Sequence, residues 1–141
     1  MGLSDLLNIF KKNDVEEGEI KENPFSLKSQ FIPFRLNAYS NNSADLHLKL
    51  KNKGETAVLT SIIINVPNDL GMDQMGIQKR KEIRLGELKK QEEKELVIPI
   101  WATGLTKPGT QIISVTVNAH YRTYEYIING MKKSIELRIV K

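Results

Sequence analysis

Two hydrophobic rhythms divide the chain. Leu3, Leu6, Leu7 and Phe10 follow the i, i+3, i+4, i+7 spacing of one helix face, whereas from Phe31 onward apolar residues recur at every second position. The first rhythm predicts a short amphipathic helix within residues 1–13. Ser4 is placed to cap it, Asp5 suits its first turn, and Lys11 and Lys12 suit its last. A helix of about nine residues is marginal alone in water, so its apolar stripe needs a surface to dock on. The acidic stretch 14–29 lacks a strong period and is expected to be a linker.

The second rhythm predicts strands. Phe34, Leu36 and Ala38 alternate with polar residues. In "DLHLKLK", Leu46, Leu48 and Leu50 share one face, with Asp45, His47, Lys49 and Lys51 on the other. "TAVLTSIIINVP" is a more continuous apolar strand ended by Pro67. Others are expected around Ile83–Leu85, at "ELVIPIWA" and at "TQIISVTVNAHY", with a final pair, "RTYEYII" and "KSIELRIV", about Asn129 and Gly130. No helical pattern separates these strands. The expectation is an all-β, antiparallel sandwich of about seven strands over residues 30–141, headed by the short helix.

The final pair also constrains its own turn. Ile113, Val115, Val117, Ala119 and Tyr121 form one apolar face, and Ile135, Leu137 and Ile139 form another, so an unbroken ladder must pair odd residues with odd. A two-residue Asn-Gly turn would pair odd with even. A three-residue loop, Ile128-Asn129-Gly130 with a left-handed Gly130 in a bulge, restores the match and sets Tyr121 opposite Leu137.

Three stretches, "LHLKLKNKGE", "IRLGEL…EEKELVIPIWA" and "KPGTQIISVTVNAHY", together resemble the immunoglobulin-like β-sandwiches of the CARDB and NEW3 type. The resemblance spans about residues 30–141, implies a seven-strand sandwich with a noncatalytic role, and carries no functional residues across. Where relatives usually have a glycine after "GEL", this chain has "KKQEEKE".

Composition narrows the chemistry. The chain has no cysteine, so disulfides, thiolate metal sites and thiol catalysis are out of reach. No apolar run approaches the roughly 20 residues of a spanning helix. The first residues also lack a secretory pattern, so the expected setting is cytoplasmic. Residues 1–28 hold four lysines against six acids, and the remainder 17 Lys and Arg against 11 acids, which concentrates positive charge on the body. His47 and His120 fall on separate strands, and Asp45 beside His47 has no identifiable third ligand. No metal, cofactor or catalytic residue is therefore expected.

The candidate surfaces are for binding. The expected register lines His120, Arg122, Tyr124 and Tyr126 along one outward face, opposite Lys132, Ser134, Glu136 and Arg138. Tyrosine mixed with arginine suits a protein contact. On that view, replacing Tyr124 and Tyr126 together by alanine leaves stability nearly unchanged. Trp101 would face outward if Leu96, Ile98 and Ile100 face the core, unless a bulge near Pro99 or the N-terminal helix covers it. The long connection after Pro67 offers Met72 and Met75 and the basic residues Lys79, Arg80 and Lys81. For the helix face, docking on its own sandwich or a second copy ranks ahead of a partner's groove, and a membrane surface comes last. The function expected is a noncatalytic protein-interaction or structural module, an adaptor or assembly component. The alternative is a nucleic-acid-binding accessory protein using the basic body.

Overall fold

The computed structural model describes residues 24–141, so the expected helix with Leu3, Leu6, Leu7 and Phe10 lies outside the described residues. Nine strands follow in chain order: β1 Phe25–Ile32, β2 Arg35–Asn37, β3 Asn42–Asn52, β4 Val58–Asn65, β5 Leu70–Gly71, β6 Arg80–Leu88, β7 Glu93–Ala102, β8 Gly109–His120 and β9 Ile127–Val140. They form two sheets, β2-β9-β8-β4-β6 and β1-β3-β7-β5. The inner faces enclose one core.

Period two produces that core directly. Leu46, Leu48 and Leu50 of β3 point inward with Ile98 and Ile100 of β7. Ile62 and Ile64 of β4 point inward with Ile113, Val115 and Val117 of β8 and Leu137 of β9. All are buried. The rhythm starts earlier than expected, because Phe25, Leu27 and Phe31 are buried too and β1 takes up residues 25–29, which the sequence placed in the linker.

Phe34 departs from the pattern. The chain leaves one sheet after Ile32 and joins the other at Arg35, where β2 runs parallel to β9 with Leu36 opposite Ile139. That crossing resets the alternation. Leu36 is buried, whereas Phe34 is 73% exposed with the Arg35 guanidinium 5.4 Å above its ring.

The last hairpin obeys the parity argument and relocates its turn. Ile113 lies opposite Ile135, Val117 opposite Met131 and Gln111 opposite Leu137, odd with odd. The turn, however, occupies residues 121–126, and β9 runs unbroken from Ile127 through Asn129 and Gly130. There is no separate strand over 122–128. A bulge does sit at Ile128, where the pairing passes from Ile127–His120 to Asn129–Ala119. Gly130 has another task than turning the chain: a Cβ there would come 2.7 Å from the buried Asn118 Oδ1 directly opposite.

Buried polar side chains tie both ends of the sandwich. Asn52 Nδ2 donates to Thr56 O at 2.9 Å and Leu88 O at 2.8 Å, and its Oδ1 accepts from Gly54 N. At the other end Thr106 Oγ1 donates to Asp69 O at 2.6 Å and accepts from Thr103 N. The β6–β7 turn, where the resemblance calls for glycine, holds Gln91 at φ 64°. Lys89 N donates to Glu92 Oε1 across this turn, and that bond holds the Glu92 carboxyl below the usual carboxylate range.

One side of the sandwich is open. Among the described residues β9 has a strand neighbour on its second edge only at Arg138–Val140, and the free edge of β1 runs alongside the rest. Lys133 Nζ crosses that seam to donate to Leu27 O at 3.2 Å. A lysine on an exposed edge discourages pairing with other chains.

Core and crossover make opposite demands on a truncation. Leu50→Ala should cost about 2–5 kcal/mol in urea unfolding, the range for emptying a closed core site. Phe34→Ala should stay within about 0.5 kcal/mol, as for other surface positions.

Candidate functional site

The alternation of β8 ends in four consecutive buried residues, Val117, Asn118, Ala119 and His120. Asn118 and His120 occupy outward positions, so something must cover the outer face there. Over His120 the covering element is the turn itself, which folds back over its own sheet.

Local geometry explains the fold-back. Thr123 N donates to Tyr121 O at 2.7 Å around Arg122, a tight three-residue turn that holds Arg122 at φ 68°. Tyr126 N then donates to Thr123 O, and Tyr121 N to Tyr126 O at 2.9 Å, closing the loop. This throws Tyr124 back across the sheet. Its hydroxyl accepts from Gly86 N at 2.9 Å, its ring meets the His120 ring edge-on at 5.0 Å, and the Arg84 guanidinium lies 4.7 Å above it. Beneath, His120 Nε2 and Ser61 Oγ are hydrogen-bonded at 2.7 Å, both side chains buried. His120 Nδ1 is buried with no hydrogen-bond partner among the described residues.

With Tyr124 pinned inward, its neighbours point out. Tyr121, Tyr126, Ile127 and Ile128 stand between 54% and 63% exposed at the hairpin tip. The Ile128 bulge interrupts the alternation, so two successive isoleucines reach solvent. Arg122 and Glu125 are the charged groups of the loop, and Arg122 lies 5.1 Å above the Tyr121 ring.

The expected face of His120, Arg122, Tyr124 and Tyr126 is thereby corrected. His120 is an interior residue, Tyr124 is half-buried and structural, and Arg122 and Tyr126 are exposed on a loop rather than a strand. Glu136 lies opposite Ile112, far down the hairpin from Arg122. Tyr121, assigned to the core, is exposed. Ile127 and Ile128 were missed, although the run "YEYII" breaks the two-residue rhythm and could have marked them.

The other candidates scatter. Trp101 does face outward, half-buried, since Leu96, Ile98 and Ile100 turn inward and the β3–β7 register passes Pro99 without a bulge. Its cross-strand neighbour Gly71 is roofed by Gly76, whose Cα would lie 2.4 Å from a Cβ at Gly71. Met72 is in the core, while Met75 is 75% exposed. Lys79 is taken up internally, donating to Asn68 O at 2.8 Å and to Leu70 O, and Arg80 and Lys81 are exposed at the start of edge strand β6. The connection itself is tied down by Asp73 Oδ1, which accepts from Ile77 N and Gln78 N. Among the described residues no group of three or more His, Cys, Asp or Glu side chains could hold a metal ion.

No family model and no curated protein sequence matches the chain. Solved structures do resemble it. The part of native alpha-2-macroglobulin from Escherichia coli that runs from domain MG7 to the C-terminus is 17% identical, with a TM-score of 0.61, over 82% of this chain. The match spans 16% of that macroglobulin chain. MyfA, the major subunit of Myf fimbriae from Yersinia enterocolitica in self-complemented form, is 14% identical over 82% of this chain and 99% of its own, with a TM-score of 0.48. The CARDB domain of a Pyrococcus furiosus protein, in complex with di-metal ions, is 18% identical over 82% of this chain and 90% of its own, also at 0.48. The likeness is one of fold, the immunoglobulin-like sandwich that the sequence resembles.

The two tyrosines should now separate. Tyr124→Ala, which strands Gly86 N and uncovers His120, should lose about 1–3 kcal/mol in thermal or urea unfolding. Tyr126→Ala should stay within about 0.5 kcal/mol, as at an exposed site. Equal effects would refute the anchor.

Proposed function

We propose that the chain is a noncatalytic protein-interaction module, an adaptor or assembly component, whose contact surface is the tip of the β8–β9 hairpin. One observation carries this reading. Tyr121, Tyr126, Ile127 and Ile128 present adjoining apolar and aromatic surface to solvent on a loop held fixed from behind by Tyr124. Contact side chains that are already positioned lose little freedom on binding, and tyrosine is enriched among residues that dominate protein interfaces. The sandwich fold supports a structural or binding role in the same way, as a rigid frame that carries variable loops at its ends.

The nucleic-acid reading has less to stand on. Lys79 is taken up by carbonyls of its own loop, and the tip offers one cation, Arg122, beside one anion, Glu125. Two exposed tyrosines without a surrounding basic groove suit an apolar contact better than a phosphate backbone.

Affinity capture from native lysate, wild type against Ile127→Ser with Ile128→Ser, tests the assignment. The wild type should retain protein partners equally at low and physiological salt, and the double variant should lose them while unfolding at nearly the same temperature. Retention by the variant overturns the surface. Capture of nucleic acid that is released steeply between the two salt conditions overturns the class of partner.

A further inference from the structure

The exposed tip stands at the end of the sandwich where the described chain begins. Phe25 pairs with Asn52, Asn52 binds Leu88 O, and Leu88 pairs with Val58 next to the Leu59–His120 pair, so Pro24 and residues 121–126 share one end. They also share one side. Lys133 of β9 reaches Leu27 of β1 across the open seam. Three residues separate Leu27 from Pro24 and five separate Lys133 from Ile128. At about 3.3 Å per residue, Pro24 therefore lies on the order of 10 Å from Ile128.

Ahead of Pro24 come 23 residues whose one apolar cluster is Leu3, Leu6, Leu7 and Phe10. Residues 11–23 separate that cluster from Pro24. Fully extended, that stretch has a reach of about 40 Å, enough to return to the tip and more. Tethering raises the local concentration of the cluster at the tip to the order of millimolar, far above any free competitor at ordinary abundance.

We infer that the N-terminal cluster Leu3, Leu6, Leu7 and Phe10 is the resident occupant of the hairpin tip, seated on Tyr121, Tyr126, Ile127 and Ile128 of the same chain. This rests on the tip being a contact surface, and it adds regulation: a partner binds by displacing the chain's own head. The apolar stripe and the apolar tip cover each other until then. Affinity for the partner is reduced by the fraction of molecules whose tip is covered.

The absence of cysteine makes the test clean. Full-length Lys11→Cys, carrying a nitroxide at its single thiol, reports proximity by broadening amide signals in ¹⁵N-labelled protein. Amides of residues 121–130 should lose most of their intensity, at every protein concentration. A mixture of nitroxide-labelled unenriched chain with unlabelled ¹⁵N chain should show no such loss. Adding Leu6→Ser and Phe10→Ser to the labelled chain should restore the signals and increase partner capture several-fold, with the unfolding temperature unchanged. The inference fails if the tip amides stay sharp, if broadening centres on the outer face around Trp101, or if it occurs in the mixture, which assigns the tip to a second copy. Tip broadening combined with failure of the capture experiment would sink the partner reading and leave the internal contact standing. The reverse outcome would do the opposite.

Discussion

The odd-numbered residues of β8 fix the five-stranded sheet. Ile113, Val115 and Val117 face the core, and the registers of β4 and β9 are both counted from them, Ile64 to Val115 on one side and Lys133 to Val115 on the other. A slip of one residue in either pairing would turn buried isoleucines to solvent and put Ser114 or Thr116 in the interior, so the register is held by the whole core. Everything at the hairpin tip inherits its position from this constraint. The pairing stays in phase up to Asn129–Ala119, and the bulge at Ile128 shifts it to Ile127–His120.

Beyond His120 the constraint lapses, and a second device takes over. Tyr124 is held by one hydrogen bond worth about 1 kcal/mol net and by the Arg84 cation over its ring, worth about 0.5–1 kcal/mol at an exposed site. Together these contacts fix which way the loop folds, and so which side chains remain outside. A loop specified this way can carry apolar groups in water without collapsing onto the sheet.

The strands were largely legible, and the tip was not, for a physical reason. Leu46, Leu48 and Leu50 announce their face because burial on one side of a sheet leaves a periodic trace. The parity of the last hairpin could be derived from that trace alone. The position of its turn could not, because Asn129-Gly130 is the strongest local turn signal in the region, yet Gly130 is there to spare the buried Asn118 amide. The true turn, at Tyr121–Tyr126, contains no glycine, proline or asparagine and is formed by Arg122 in a left-handed conformation that sequence statistics disfavour. Phe34 misled for a similar reason, since a crossover between sheets resets the alternation without changing composition. Asn52 and Thr106, the buried ties, look like ordinary loop-flanking residues until their partners 36 and 37 positions away are known.

The lysine across the open seam has a consequence of its own. Among the described residues the edge of β1 and part of the edge of β9 lie side by side there, and strand edges are where neighbouring molecules can add by backbone pairing. By lodging an ammonium group in that gap, Lys133 makes each intruding backbone bury a positive charge as it docks. A strand added along this seam would have to displace that ammonium group first.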